Sequence, residues 1–255
     1  VLVEPDRTPY DLNFRLLGFP VRVHPLFWVV AVLFGADALG NPNLGPVYLL
    51  VWVAVVFVSI LVHELGHAFA FRACGVGSSV VLYSFGGLAV PWGHVGGRWR
   101  RVGVALAGPA AGFVLLGLVW ASNRYVHPWA VESLPLFYLY VSLVGVNLYW
   151  GLMNLLPVVP LDGGRVSEEV CEAASRRNGG RVALWISVVV GAVVAVYSLA
   201  GEVGRGRGAG WFDALPWWVP PGSLWTALLF GILAYQSYQL LRQPRWTESH
   251  WDRGY

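Results

Sequence analysis

The chain has no lysine; its 17 basic residues are all arginine. Charge of either sign is scarce, because charged residues make up 12% of the 255 positions, where a soluble domain carries about 25%. That scarcity excludes an ordinary soluble globular protein. Disorder is excluded as well, since it needs low hydrophobicity and high net charge, and this chain is 56% hydrophobic with a net charge of only +3. Cysteine is nearly absent. Cys74 and Cys171 stand alone in the sequence, which rules out a disulfide framework and any metal site built on paired cysteines. The one arginine–glycine stretch, 204–208, is too short to read as a nucleic-acid patch. What is present in quantity is apolar: mean hydropathy is +0.58, the signature of a multi-pass membrane protein.

A helix needs about 20 apolar residues to cross a bilayer. Six stretches qualify as candidates, at roughly 25–40, 47–73, 102–122, 136–157, 182–200 and 223–241. The first is the weakest, because its strictly apolar run from Leu26 to Ala36 is short. Its rival reading is a signal-peptide core ahead of Ala36-Asp37-Ala38, against which stands the long polar lead before it. Arginine placement sets the orientation. Fourteen of the 17 lie in the N-terminal tail, the connections after the second and fourth stretches, and the C-terminal tail, while Arg124, Arg205 and Arg207 lie in the alternate connections. An even number of spans with both termini cytoplasmic accounts for this. The expected fold is an all-α polytopic membrane protein of six transmembrane helices, forming a single domain over 1–255. Trp211, Trp217 and Trp218 in the last outer connection suit an interfacial aromatic belt.

The second stretch ends Val62-His63-Glu64-Leu65-Gly66-His67. Residues four apart share a helix face, so His63 and His67 can both turn a ring nitrogen toward one zinc ion. Glu64 projects beside that pair, where it can take a proton from a water molecule. Ionisable groups inside a bilayer are expensive unless paired or functional, and three within five residues of an apolar helix point to function. His63 lies about 24 Å along the stretch, in the cytoplasmic half of the membrane. A catalytic zinc usually takes three protein ligands and keeps one position open. The fourth stretch runs into Asn154-Leu155-Leu156-Pro157-Val158-Val159-Pro160-Leu161-Asp162-Gly163-Gly164. The two prolines end the regular helix, and the extended run after them can fold back and present Asp162 at the same depth. Glu168, Glu169 and Glu172, on one face of a short helix, are the rivals for third ligand.

His63-Glu64-Leu65-Gly66-His67 together with Asn154-Leu155-Leu156-Pro157 and Asp162-Gly163 resembles the paired signature of site-2 proteases, the intramembrane zinc metalloproteases of peptidase family M50. Phe85-Gly86-Gly87 and Ala107-Gly108-Pro109 extend the likeness, which covers about residues 18–170. By that resemblance His63, His67 and Asp162 are the ligands of one Zn2+ per chain and Glu64 is the general base. Asn154 and Phe85-Gly86-Gly87 bind substrate. Stretch 76–91 forms a small membrane-embedded β-hairpin or re-entrant loop that takes an extended substrate. The chain departs from the family at Gly112 and Phe113, where many members carry an asparagine.

The implied function is hydrolysis of peptide bonds within or near transmembrane segments of membrane-tethered substrates, in regulated proteolysis. The implied location is a prokaryotic inner membrane. Two other classes compete. A catalytically inactive scaffold or chaperone of the same fold sits poorly with an intact Glu64. A metal transporter would need further ligands along a path, and the third, fifth and sixth stretches offer no His, Asp or Glu.

Overall fold

The computed structural model describes residues 4–84, 86–205 and 222–243; Phe85, Arg207, Trp211, Trp217 and Trp218 lie outside them. The chain divides into two compact units, one running to Met153 and the other beginning at Asn154.

The first unit opens with two short strands, β1 (Leu12–Leu16) and β2 (Phe19–Val23), joined by Leu17 and Gly18, both at positive φ. Next come a ten-residue helix, α1 (Pro25–Phe34), and a 3-10 turn at Ala36–Gly40. The long helix α2 (Gly45–Ala73) follows, and then the hairpin β3 (Ser78–Tyr83) and β4 (Gly86–Pro91). Two further long helices complete the unit, α3 (Arg98–Glu132) and α4, whose range Leu134–Asn154 ends at the boundary. The four strands make one sheet in the order β1-β2-β3-β4. Both hairpins are antiparallel, and the central β2–β3 pair is parallel, with Val21 opposite Val80 and Val23 opposite Leu82.

Alternation along the strands sends Phe19, Val21, Val23, Val80 and Leu82 to one face. There they bury against Phe27 of α1 and Ile60, Leu61, Leu65 and Ala68 of α2. The sheet thus takes one side of α2 and leaves the other side to α3. On the polar side of the sheet, Arg22 is buried in ion pairs with Glu4 (2.8 Å) and Asp11 (3.0 Å). The Thr8 hydroxyl and Arg22 together hold the Asp11 carboxyl down at about 2.

Helix α2 has Pro46 in its first turn, where a missing N–H costs nothing. It stops at a Schellman motif: Gly75, at φ +79, donates to the Arg72 carbonyl and Val76 donates to that of Phe71. The stop falls two turns beyond His67, so the polar pair sits in the last third of a 29-residue apolar helix.

The second unit begins with the loop 155–161 and continues with α5 (Asp162–Ala174), α6 (Gly179–Arg205) and α7 (Leu224–Leu241). Helices α6 and α7 pack tightly. A side chain at Gly191 would press on Ala234 at 3.1 Å and on the Phe230 carbonyl at 3.3 Å, so small residues set the separation.

One expectation is met in part and another changes. Among the described residues, four helical segments are long and apolar enough to cross a membrane: Gly45–Ala73, Arg98–Ser122, Leu134–Asn154 and Gly179–Gly204. The first expected span is α1, which ends at Gly35 after about 15 Å, half the thickness of a hydrocarbon core. The sixth is α7, 18 residues long and diluted by Gln236 and Gln239. The fold is mostly helical rather than all-α, because strands at 12–23 join the hairpin 78–91 in one sheet.

Candidate active site

In an α-helix successive side chains turn by 100°, so the segment 61–68 of α2 divides three ways. Leu61, Leu65 and Ala68 face the sheet, His63 and His67 face α3, and Glu64 lies between, toward β4.

The imidazoles of His63 and His67 are buried edge-to-face, with centroids 4.9 Å apart. Their Nε2 atoms lie 3.2 Å from each other. Two nitrogens each about 2.0–2.1 Å from one tetrahedral zinc stand about 3.3 Å apart, so the pair is already spaced as two ligands of a single ion. The tautomer of His67 follows from its other nitrogen. Nδ1 lies 2.7 Å from the carbonyl oxygen of Val104 in α3; a carbonyl only accepts, so Nδ1 carries the proton and Nε2 keeps its lone pair for a metal.

Helix α3 can offer that carbonyl because it has no side chain in the way. A Cβ on Gly108, one turn beyond Val104, would fall on the His67 ring. A Cβ on Gly66 would run into the Ala107 backbone, so α2 and α3 cross nearly in contact at this level. The sequence motif Ala107-Gly108-Pro109 therefore has a local reason: it clears a bay for His67. Glu64 is buried too, and the backbone of Gly87 in β4 lies against it, since a Cβ there would sit 2.7 Å from the Glu64 Cδ and Oε1. Among the described residues β4 is an end strand of the sheet, hydrogen-bonded to β3. One turn before His63, Ser59 Oγ accepts a 3.0 Å hydrogen bond from Asn147 of α4. The Asn147 Oδ1 lies near the space that a side chain at Gly112 would take, which is where the family asparagine is missing. His24 has a different task from the site residues. It caps α1, its Nδ1 accepting from the Leu26 amide at 3.1 Å.

In the second unit Asp162 is the first residue of α5 and is buried. A carboxylate in a helix's first turn interacts favourably with the macrodipole. The loop before it folds closely on itself. Side chains at Gly163 and Gly164 would strike the backbone of Leu155 and Val158, respectively. Asn154, at the head of this loop, is buried. Further along α5, Glu169 is buried as well, and burial pushes the Glu168 carboxyl up to about 7. Among the described residues, the buried donors of metal-binding type include His63 and His67 in the first unit and Asp162 in the second. Two imidazoles and a carboxylate are a donor set that catalytic zinc accepts.

Of the residues expected from sequence, the structure brings His63, Glu64, His67 and Gly87 together in the first unit, and puts Asn154 and Asp162 in the second. Sequence reasoning missed the Val104 carbonyl and the bay at Gly108. A backbone acceptor leaves no trace in sequence, but the glycine facing His67 did.

The model of peptidase family M50 matches residues 127–198. A candidate zinc metalloprotease of Synechocystis is 30% identical over 234 residues, covering 84% of this chain and 55% of that protein. A zinc metalloprotease of Methanocaldococcus jannaschii is 28% identical over 188 residues, covering 73% of this chain and 52% of the relative. The chain thus spans about half the length of these curated relatives. Among solved structures, the site-2 protease from Methanocaldococcus jannaschii shares the fold, with a TM-score of 0.55 at 18% identity over 92% of this chain and 96% of that one. Carrying the paired His-Glu-x-x-His and Asn-x-x-Pro…Asp-Gly motifs on that fold, the chain is similar to the site-2 protease family of zinc metalloproteases, peptidase family M50.

Proposed function

We propose that this protein is an integral-membrane zinc endopeptidase that cleaves peptide bonds within or near the transmembrane segments of membrane-tethered proteins. The observation that carries the reading is the convergence of two buried imidazole Nε2 atoms at 3.2 Å on a helix apolar and long enough to span a bilayer, with a buried glutamate between them. His63, His67 and Asp162 hold one zinc, in a single metalloprotease domain with its catalytic core at about 18–170. A zinc bound there supplies a Lewis acid that polarises a carbonyl and acidifies water.

The chain's own residues do the rest. Val104, through the His67 Nδ1 proton, holds that ring so that only Nε2 faces inward. Glu64 takes the proton of the attacking water on a carboxylate oxygen and returns it to the leaving amine nitrogen. Gly86 and Gly87 at the start of β4 let a substrate backbone approach, and Asn154 donates to a substrate carbonyl or to the charge that develops on it. A transmembrane helix hides its peptide groups in its own hydrogen bonds, so the substrate must unwind locally before it can lie along β4. Single-span proteins with glycine, proline or polar residues near the cytoplasmic side fit this requirement, and release of such proteins would place the enzyme in regulated proteolysis. The arginine distribution supports both termini on the cytoplasmic side of a prokaryotic inner membrane.

The test is cleavage of a co-expressed, tagged single-span substrate by the wild type and by Glu64→Gln. The variant should leave the substrate intact while still binding zinc. Equal processing by both proteins would refute the protease reading.

A further inference from the structure

We propose that Ser187 and Ser237, on the two C-terminal helices, are positioning residues that hold the Asp162 loop in register for metal binding. The proposal rests on the reading of Asp162 as a zinc ligand and deepens it.

The loop between Pro157 and Asp162 has few ways to anchor itself. Prolines at 157 and 160 carry no N–H, which leaves the amides of Val158, Val159 and Leu161. Val158 donates to the Leu156 carbonyl at 2.7 Å and Leu161 donates to the Val158 carbonyl at 2.8 Å, both inside the loop. Val159 is different. Its N–H leaves the loop and donates to the Ser187 hydroxyl of α6 at 2.9 Å. Ser187 in turn is hydrogen-bonded to Ser237 of α7 at 2.7 Å. Both hydroxyls are inaccessible to solvent, with Ser187 at 0% exposure and Ser237 at 1%. The Val159 bond is part-buried, and an amide drawn away from water needs a protein acceptor, so this bond pins the loop as well as satisfying it.

The chain of contacts is short: α7 to α6 through two hydroxyls, α6 to Val159, and three residues on to Asp162. The packing around it fits the role. Gly191, one turn from Ser187, lies against Ala234, one turn before Ser237, and this close approach lets the two short hydroxyls meet. Gly163 and Gly164 then seat the start of α5 on the backbone of the same loop, so movement at Val159 is passed to the Asp162 carboxylate. Neither α7 nor residues 182–200 of α6 carries an Asp, Glu, His or Arg for the chemistry. A tether that sets where the carboxylate stands gives these helices a part in it.

The experiment measures zinc affinity of the purified full-length chain by competition with a chelating fluorophore, alongside the melting temperature of the zinc-free form and the zinc dependence of substrate cleavage. Ser187→Ala should weaken zinc binding about tenfold, within the range seen for residues that orient metal ligands. Cleavage should then need about tenfold more zinc to reach half its plateau while the plateau itself recovers. Ser237→Ala, which leaves the Ser187 acceptor in place, should weaken binding about threefold; it carries the same test if Ser187→Ala fails to fold. A merely structural role would lower the melting temperature and leave the zinc affinity of the folded protein within twofold of wild type, and that result would overturn the proposal. Asp162→Asn separates the two levels. If it binds zinc as tightly as wild type, the ligand reading itself falls. If it loses zinc while both serine variants keep wild-type affinity, the tether alone is wrong.

Discussion

Gly108→Ala puts a methyl group where the His67 ring now lies. A Cβ at position 108 would stand 2.5 Å from the ring Cε1 and 2.7 Å from Cδ2, with Nε2 nearer still. Opening the 2.5 Å approach to an ordinary contact of about 3.4 Å moves the imidazole by roughly 0.9 Å. Metal–ligand distances tolerate about 0.2 Å, so the Nε2 atom leaves the position from which it pairs with His63. The ring also stretches its 2.7 Å bond to the Val104 carbonyl. Zinc affinity should fall by at least about 10–100-fold, the cost of disturbing a ligand's orienting partner. Overpacking of this kind costs about 1–3 kcal/mol of stability, and the better helix propensity of alanine offsets up to about 1 kcal/mol of it. Metal binding should therefore suffer more than folding. Gly103→Ala and Gly117→Ala are the controls, because both glycines lie on α3 and face open space; each should leave zinc affinity unchanged and stability the same or slightly higher. The assay is chelator competition on the purified variants, with thermal melting of the zinc-free forms beside it. A Gly108→Ala protein that binds zinc within twofold of wild type would refute the account of the bay.

Gly87→Ala pushes on Glu64 rather than on a ligand, so kcat should drop at least tenfold, an order of magnitude or more being the typical share of a positioned general base, while zinc content measured by metal analysis stays at wild-type level. Asp162→Asn should lose zinc and Glu169→Gln should keep it; the opposite pattern in metal analysis would give the third ligand to Glu169. The Glu168 carboxyl, held up at about 7 by burial against an ordinary 4.5, binds its proton more tightly in the fold than in the unfolded chain. Stability should therefore be full below about 4.5, fall as pH rises toward 7, and level off above that; melting temperatures between pH 4.5 and 8 should show the slope, and Glu168→Gln should flatten it.

The site was more legible in the sequence than the frame around it. His63, Glu64 and His67 announce themselves because four-residue spacing on a helix is a local geometric fact, and Asp162 follows from two prolines that force the chain out of its helix. The long apolar runs of α2, α3, α4 and α6 are legible for the same local reason. Strands β1 and β2 were not, because five-residue segments carry little periodicity, and β2 owes its place to a parallel partner some 60 residues away. Helix α1 stops at Gly35 after ten residues, a break that hydropathy does not register. The hydrogen bonds that orient the site were hidden for another reason. The Val104 carbonyl is backbone, and Ser187 and Ser237 are two unremarkable hydroxyls until α6 and α7 are folded side by side.

If substrates lie along β4 as proposed, the placement of that strand at the end of its sheet has a consequence for discrimination. A free strand edge reads amides and carbonyls, which are the same in every sequence, and a helix has none to lend. Selection at such an edge falls on how readily a segment gives up its own helix. Two substrates with identical side chains at the scissile bond would then differ in turnover if one carried a glycine or proline a turn away. The enzyme would be choosing by conformational free energy, and a cleavage-site consensus drawn from its substrates would come out nearly featureless.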